Sequence, residues 1–186
     1  MLLYLFVAVS EGSLAAAGQG VLQLRDTRGV LHRPLNVKGA RATVLIFITH
    51  DCPISNRYAA EINRIHTAYA SRKIAFYMIY TDADLTAAQA RQHAKDFGYH
   101  SVALLDRTHL LVKKVRATVT PEAFVLSPAG KVLYRGRIDD TYVDYGKSRL
   151  KPKKRDLRDA LDAIVNGKPV PNPVTKSIGC FITPGS

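Results

Sequence analysis

The stretch ATVLIFITHDCPIS, residues 42–55, decides how this chain is read. Ala42 to Thr49 is a continuous apolar run, too short for a typical helix and rich in β-branched and aromatic residues. Such a run reads as a central strand buried on both faces. Pro53 then opens a helix, because proline is well tolerated at the first helical position. Ile54, Tyr58, Ile62, Ile65 and Tyr69 follow at spacings of 4, 4, 3 and 4, which makes one apolar stripe. Cys52 therefore stands where a buried strand ends and a helix begins. Backbone N–H groups without partners and the helix dipole favour negative charge at that place. A thiolate gains most from such a field, so the thiol pKa is expected to fall and its reactivity to rise. Ser55, on the first turn, can point its hydroxyl at the sulfur.

Outward from this core, Val21 to Asp26 and Val30 to Arg33 alternate around the turn Thr27-Arg28-Gly29 and predict a β-hairpin. Ile74 to Tyr80 is a second buried strand. Thr86 to Phe97 predicts a helix ended by Gly98. Val102 to Leu105 is a short strand, with a short helix around His109 to Val115. Glu122 to Leu126 and Lys131 to Arg137 flank Ser127-Pro128-Ala129-Gly130, a hairpin signal. Leu157, Leu161, Ile164 and Val165 place a last amphipathic helix, closed by Asn166-Gly167. From Lys168 onward Pro169, Pro171, Pro173 and Pro184 rule out a long regular element. The order β-β-β-α-β-α-β-α-β-β-α implies an α/β fold, a three-layer α/β/α sandwich with a mixed central sheet and an N-terminal β-hairpin. One domain spans residues 20–167, and residues 168–186 form a proline-rich tail carrying Cys180.

Composition narrows the classes. Of 186 residues 47% are hydrophobic and 23% charged, ordinary for a globular domain and too apolar for intrinsic disorder. No apolar run reaches the roughly 18 residues a membrane-spanning helix needs, so stable membrane insertion is not expected. The net charge of +12 is concentrated. Lys147, Arg149, Lys151, Lys153, Lys154, Arg155 and Arg158 stand against Asp156 alone, so half of the excess lies in this one segment. It contains Pro152 and shows no interleaving of bases with aromatics along a helix face. It reads as a solvated loop and not as a nucleic-acid site. Asp139 and Asp140 read as strand-end caps or partners of nearby bases. Asp82 and Asp84 read as loop and helix-capping residues, and His50 as a loop histidine.

Leu2 to Val9 is apolar, and Ala15-Ala16-Ala17 fits a small-residue cleavage site, so residues 1–17 read as a signal peptide and the protein as exported. No Lys or Arg precedes the apolar run; without export the protein would be cytoplasmic. Cys52 and Cys180 are the two cysteines. They leave open a pair, or one nucleophile and one bystander. Two thiols make neither a disulfide-rich scaffold nor a four-thiolate zinc site. No glycine-rich phosphate loop and no metal-ligand spacing is present, so no cofactor is expected.

Four local features together resemble the thioredoxin-like superfamily, and most closely its peroxiredoxin-like branch of exported bacterial thiol proteins. Cys52-Pro53-Ile54-Ser55 takes the place of the thioredoxin C-x-x-C, with Ser55 for the second cysteine. Thr120-Pro121 stands before a strand where thioredoxins hold a cis proline. Tyr134-Arg135-Gly136-Arg137-Ile138-Asp139-Asp140 resembles this branch's stretch at the end of the last strand. Ile178-Gly179-Cys180 resembles its C-terminal cysteine motif. The resemblance implies that Cys52 is the nucleophile, with Pro53 and Ser55 beside it. It implies that Thr120 and Pro121 present a backbone edge to a substrate's extended chain, and that Cys180 is a resolving thiol arriving from a mobile tail.

The activity implied is thiol–disulfide exchange with a disulfide protein or a small-molecule oxidant, followed by reduction by an external dithiol. Two alternatives stand beside it: a thiol peroxidase acting on hydroperoxides, and a non-catalytic thioredoxin-like binding module. Peroxiredoxins carry P-x-x-x-T-x-x-C, and here Leu45 holds the proline position. Copper-delivering relatives use C-x-x-x-C with a histidine, and no second cysteine lies near Cys52, so metal delivery is not expected.

Overall fold

A computed structural model describes residues 21–183 of the chain; the expected signal peptide lies outside the described residues. Eleven strands and five α-helices are present among them. In chain order they are β1 (Leu24–Asp26), β2 (Leu31–His32), β3 (Ala42–Ile48), α1 (Pro53–Arg57), α2 (Ala59–Tyr69), β4 (Ile74–Tyr80), α3 (Ala87–Asp96), β5 (Val102–Leu105), α4 (Leu110–Val115), β6 (Val119–Thr120), β7 (Glu122–Leu126), β8 (Val132–Gly136), β9 (Tyr142–Asp144), β10 (Lys147–Ser148), α5 (Asp156–Val165) and β11 (Cys180–Phe181).

Seven strands form one mixed sheet in the order β2-β1-β5-β4-β3-β7-β8. β3 lies at its heart, parallel to β4 and antiparallel to β7, and all seven of its residues are buried. The apolar run read from sequence is thus a strand covered on both sides. Val44, Ile46 and Ile48 face α2, α3 and α5 through Ile62, Ile65, Ala90, Leu157 and Leu161. Leu45 and Phe47 face the opposite layer through Leu111, Val112 and the N-terminal segment. The three-layer α/β/α architecture with its N-terminal hairpin is the observed one.

Several elements differ from the sequence reading. The helix predicted from Pro53 is two helices joined at Tyr58, which ends α1 and starts α2. Tyr58 keeps helical dihedrals (φ −79°, ψ −7°), so the stripe from Ile54 to Tyr69 still points at the core. Asp82 and Asp84 do not cap α3. Thr86 does, in a reciprocal capping box with Gln89. The basic segment is only partly loop: β10 pairs with β9, and Arg158 lies on α5 and binds Glu61 at 2.7 Å. Asp140 accepts from the backbone amides of Lys153 and Lys154 and pairs with Arg149, as its neighbourhood of bases suggested.

The tail departs most from expectation. It is docked along the domain. Arg135 and residues 173–175 exchange backbone hydrogen bonds, and the Thr175 hydroxyl accepts from the Arg137 amide at 3.1 Å. Farther on, β11 pairs antiparallel with β6. Local sequence offers no periodicity for these pairings, because each involves one or two residues.

Candidate active site

Cys52 occupies the position before α1, with extended dihedrals (φ −73°, ψ 112°), and Pro53 is the first helical residue. The fold delivers it there directly: β3 ends at Ile48, Thr49 to Asp51 turn, and the Cys52 amide donates to the Thr49 carbonyl. The peptide bond between Thr120 and Pro121 is cis. Thr120 is wholly buried, its hydroxyl lies 3.3 Å from that of Thr49, and its carbonyl accepts the Cys52 thiol at 3.3 Å. Cys180 pairs with Thr120 across β11 and β6. Cys52, Pro53, Ser55, Thr120, Pro121 and Cys180, spread over 129 positions of sequence, therefore meet at one place.

Both cysteines are free thiols. Cys52 is only 2% exposed; its cover includes the segment carrying Cys180, and both residues line one cavity. Burial alone would push the Cys52 pKa up. The Cys180 thiol, the Ser55 hydroxyl and the amides of Ser55 and Cys180, all near the sulfur, outweigh it and bring the thiol below its ordinary 9.0. The cause thus differs in part from the sequence argument. α1 is only five residues long, so local donors, half of them from the tail, replace the field of a long helix. The wholly buried Ser55 hydroxyl has no formed hydrogen bond in the resting geometry, which leaves it available to an ionised sulfur. Cys180 moves the other way. Burial, then the hydrogen bond and negative charge of Cys52, push it up to about 12.

Sequence reasoning missed the polar residues that hold the loop before Cys52. Asn56 donates to the His50 carbonyl at 2.9 Å and meets the His93 Nε2 at 3.0 Å. The Tyr80 hydroxyl lies 2.8 Å from the His93 Nδ1. On the outer side Asp82 accepts from the His50 ring at 2.6 Å. His109, with φ +57°, lies 2.7 Å through its Nε2 from the Thr81 carbonyl. Asn56, one helical turn after Cys52, was the available signal. His50, Asp51 and Asp82 bring three ligand-type atoms within 4.8 Å of one another, a grouping their sequence separation hides.

No family model matches the chain, and no curated protein matches it. Solved structures do. A hypothetical protein from Sinorhizobium meliloti 1021 is 27% identical, with a TM-score of 0.77 over 88% of this chain and 92% of that one. An uncharacterized conserved protein from Geobacillus kaustophilus is 26% identical, with a TM-score of 0.78 over 98% of this chain and all of that one. A secreted Mycobacterium tuberculosis disulfide oxidoreductase, homologous to E. coli DsbE, is 16% identical, with a TM-score of 0.54 over 79% and 96%. The mixed central sheet flanked by helices agrees with these likenesses, and the chain has the thioredoxin-like fold.

Proposed function

We propose that the protein is a thiol–disulfide oxidoreductase with Cys52 as nucleophile and Cys180 as resolving thiol. The observation that carries this reading is the meeting of the two free thiols: the Thr120 carbonyl accepts the Cys52 thiol, Cys180 pairs with the same Thr120, and both line one cavity, with the Cys52 pKa lowered and that of Cys180 raised. The Cys52 thiolate attacks one sulfur of a disulfide R–S–S–R. A Cys52–S–S–R bond forms, the substrate bond breaks, and one RS⁻ leaves and takes up a proton. Once Cys52 is bonded, its negative charge no longer raises the Cys180 pKa. Cys180 can then lose its proton and attack the Cys52 sulfur, releasing the second RS⁻. The protein keeps a Cys52–Cys180 disulfide and has passed two electrons to the substrate. An external dithiol restores it by the reverse exchange. Ser55 stabilises the attacking anion, and the Thr120 carbonyl orients the resting thiol. An exported setting, where such disulfides persist, belongs to this reading.

Intact-mass and peptide mass spectrometry after mild oxidation test it. Wild type is expected to lose two hydrogens and give a Cys52–Cys180 crosslink. Cys180→Ser is expected to accumulate a mixed disulfide on Cys52 when a disulfide is added. A protein that forms neither species overturns the reading.

A further inference from the structure

The tail does more than bring Cys180 to the site. β11 pairs with β6, the Ile182 amide donates to the Thr118 carbonyl at 3.0 Å, and the Tyr145 hydroxyl donates to the Gly179 carbonyl at 2.9 Å. Gly179 lies so close to the Thr120 carbonyl group that a Cβ would collide with it, so only glycine lets the tail sit flush. A free strand edge is a template on which another extended chain can add. Along residues 118–120 the chain's own tail occupies that edge. What remains beside the thiols is a cavity of about 660 Å³. Its lining carries the carboxylates of Asp51, Asp82 and Asp84 and, among the described residues, no Lys or Arg; its two histidines are engaged, His50 with Asp82 and His109 with the Thr81 carbonyl. In a protein of net charge +12 the mouth of the reactive site is acidic. Clefts lined by one sign of charge focus its field on an approaching ligand.

We propose that, with the tail docked, Cys52 is closed to extended polypeptides and takes its disulfide as a small, non-anionic molecule through the acid-lined cavity. The inference rests on Cys52 being the attacking thiol of the proposed exchange, and it names the substrate class of that step.

Stopped-flow kinetics of the full, reduced protein test it with three small disulfides of similar size: cystamine (a dication), bis(2-hydroxyethyl) disulfide (neutral) and dithiodiglycolate (a dianion). A fourth probe is an unstructured peptide whose cysteine carries a mercaptoethanol mixed disulfide, so that it has the leaving group of the neutral probe. Rates, each divided by that of the same disulfide with free mercaptoethanol at the same pH and salt to remove leaving-group acidity, are expected to fall from cation to neutral to anion by about tenfold overall, narrowing as salt is raised. Asp84→Asn is expected to flatten that order. The peptide is expected to react about tenfold or more slowly than the neutral probe, because the tail's hydrogen bonds have to open first. Gly179→Ala, which displaces the tail, is expected to bring the peptide up toward the neutral probe. A wild-type protein that takes the peptide as fast as the neutral disulfide, or the anion as fast as the cation, overturns the inference and leaves the exchange reaction standing. A Cys52 that reacts with none of the four overturns the oxidoreductase reading itself.

Discussion

The carbonyl oxygen of Thr120 accepts the Cys52 thiol at 3.3 Å, while the backbone of the same threonine is paired with Cys180. One residue thus fixes both cysteines, from two sides, and the cis bond that follows it starts the turn into β7. The arrangement makes the acidity of one sulfur depend on the position of a segment far away in sequence.

That dependence is measurable through alkylation. Iodoacetamide reacts with the thiolate, so its rate against Cys52 should climb with pH to a plateau whose midpoint lies below 9.0, the ordinary thiol value. Cys180→Ala and Ser55→Ala each remove a donor to the anion. Each should move the midpoint upward, toward alkaline pH. A midpoint unchanged in both variants would show that the donors named here do not act on the sulfur.

Gly136 should prove intolerant of a side chain. Its φ is +143°, and a Cβ there would run into Thr175, the residue that anchors the tail to β8. Gly136→Ala is expected to cost roughly 2 kcal/mol, from backbone strain and the lost close approach. At this chain length that corresponds to a Tm lower by about 4–8 °C. Thermal unfolding followed by circular dichroism checks it, and hydrogen exchange should quicken at Thr175, whose amide donates to the Arg135 carbonyl at 3.0 Å.

The buried His93 predicts an acid limb in stability. Burial first, and then the nearby His50, hold its pKa below the ordinary 6.5. As pH falls through 6.5 the unfolded chain takes up a proton that the folded one refuses. Stability should therefore decline on the acid side of that value and not above it. His93→Gln should flatten the decline between 6.5 and the lower folded value. Asn56→Ala, which strips both His93 and the His50 carbonyl of a partner, is expected to cost about 1–3 kcal/mol in denaturant unfolding.

Much of the fold could be read from the residues because its signals are local. β3 and β4 are unbroken apolar runs, α5 carries its own apolar stripe, and the β7–β8 turn has its proline and glycine. The Cys52–Pro53 junction was equally plain. The break at Tyr58 was not, since an apolar stripe persists through a kink that keeps helical dihedrals. The docked tail was hidden for another reason. Its hold depends on backbone pairs of one or two residues and on two glycines that matter only for what passes over them. Asn56, Asp82 and His93 stand next to one another only after α1, β4 and α3 have packed, so their role around the His50 loop belongs to tertiary structure.

The distance in sequence between Cys52 and its cover has a consequence during biosynthesis. The central strand and Cys52 leave the ribosome well over a hundred residues before Gly179 and Cys180 do. Throughout that interval the nascent chain carries a thiol with neither its lid nor its partner, and the contacts that shield it, being the most remote in sequence, are the last that can form.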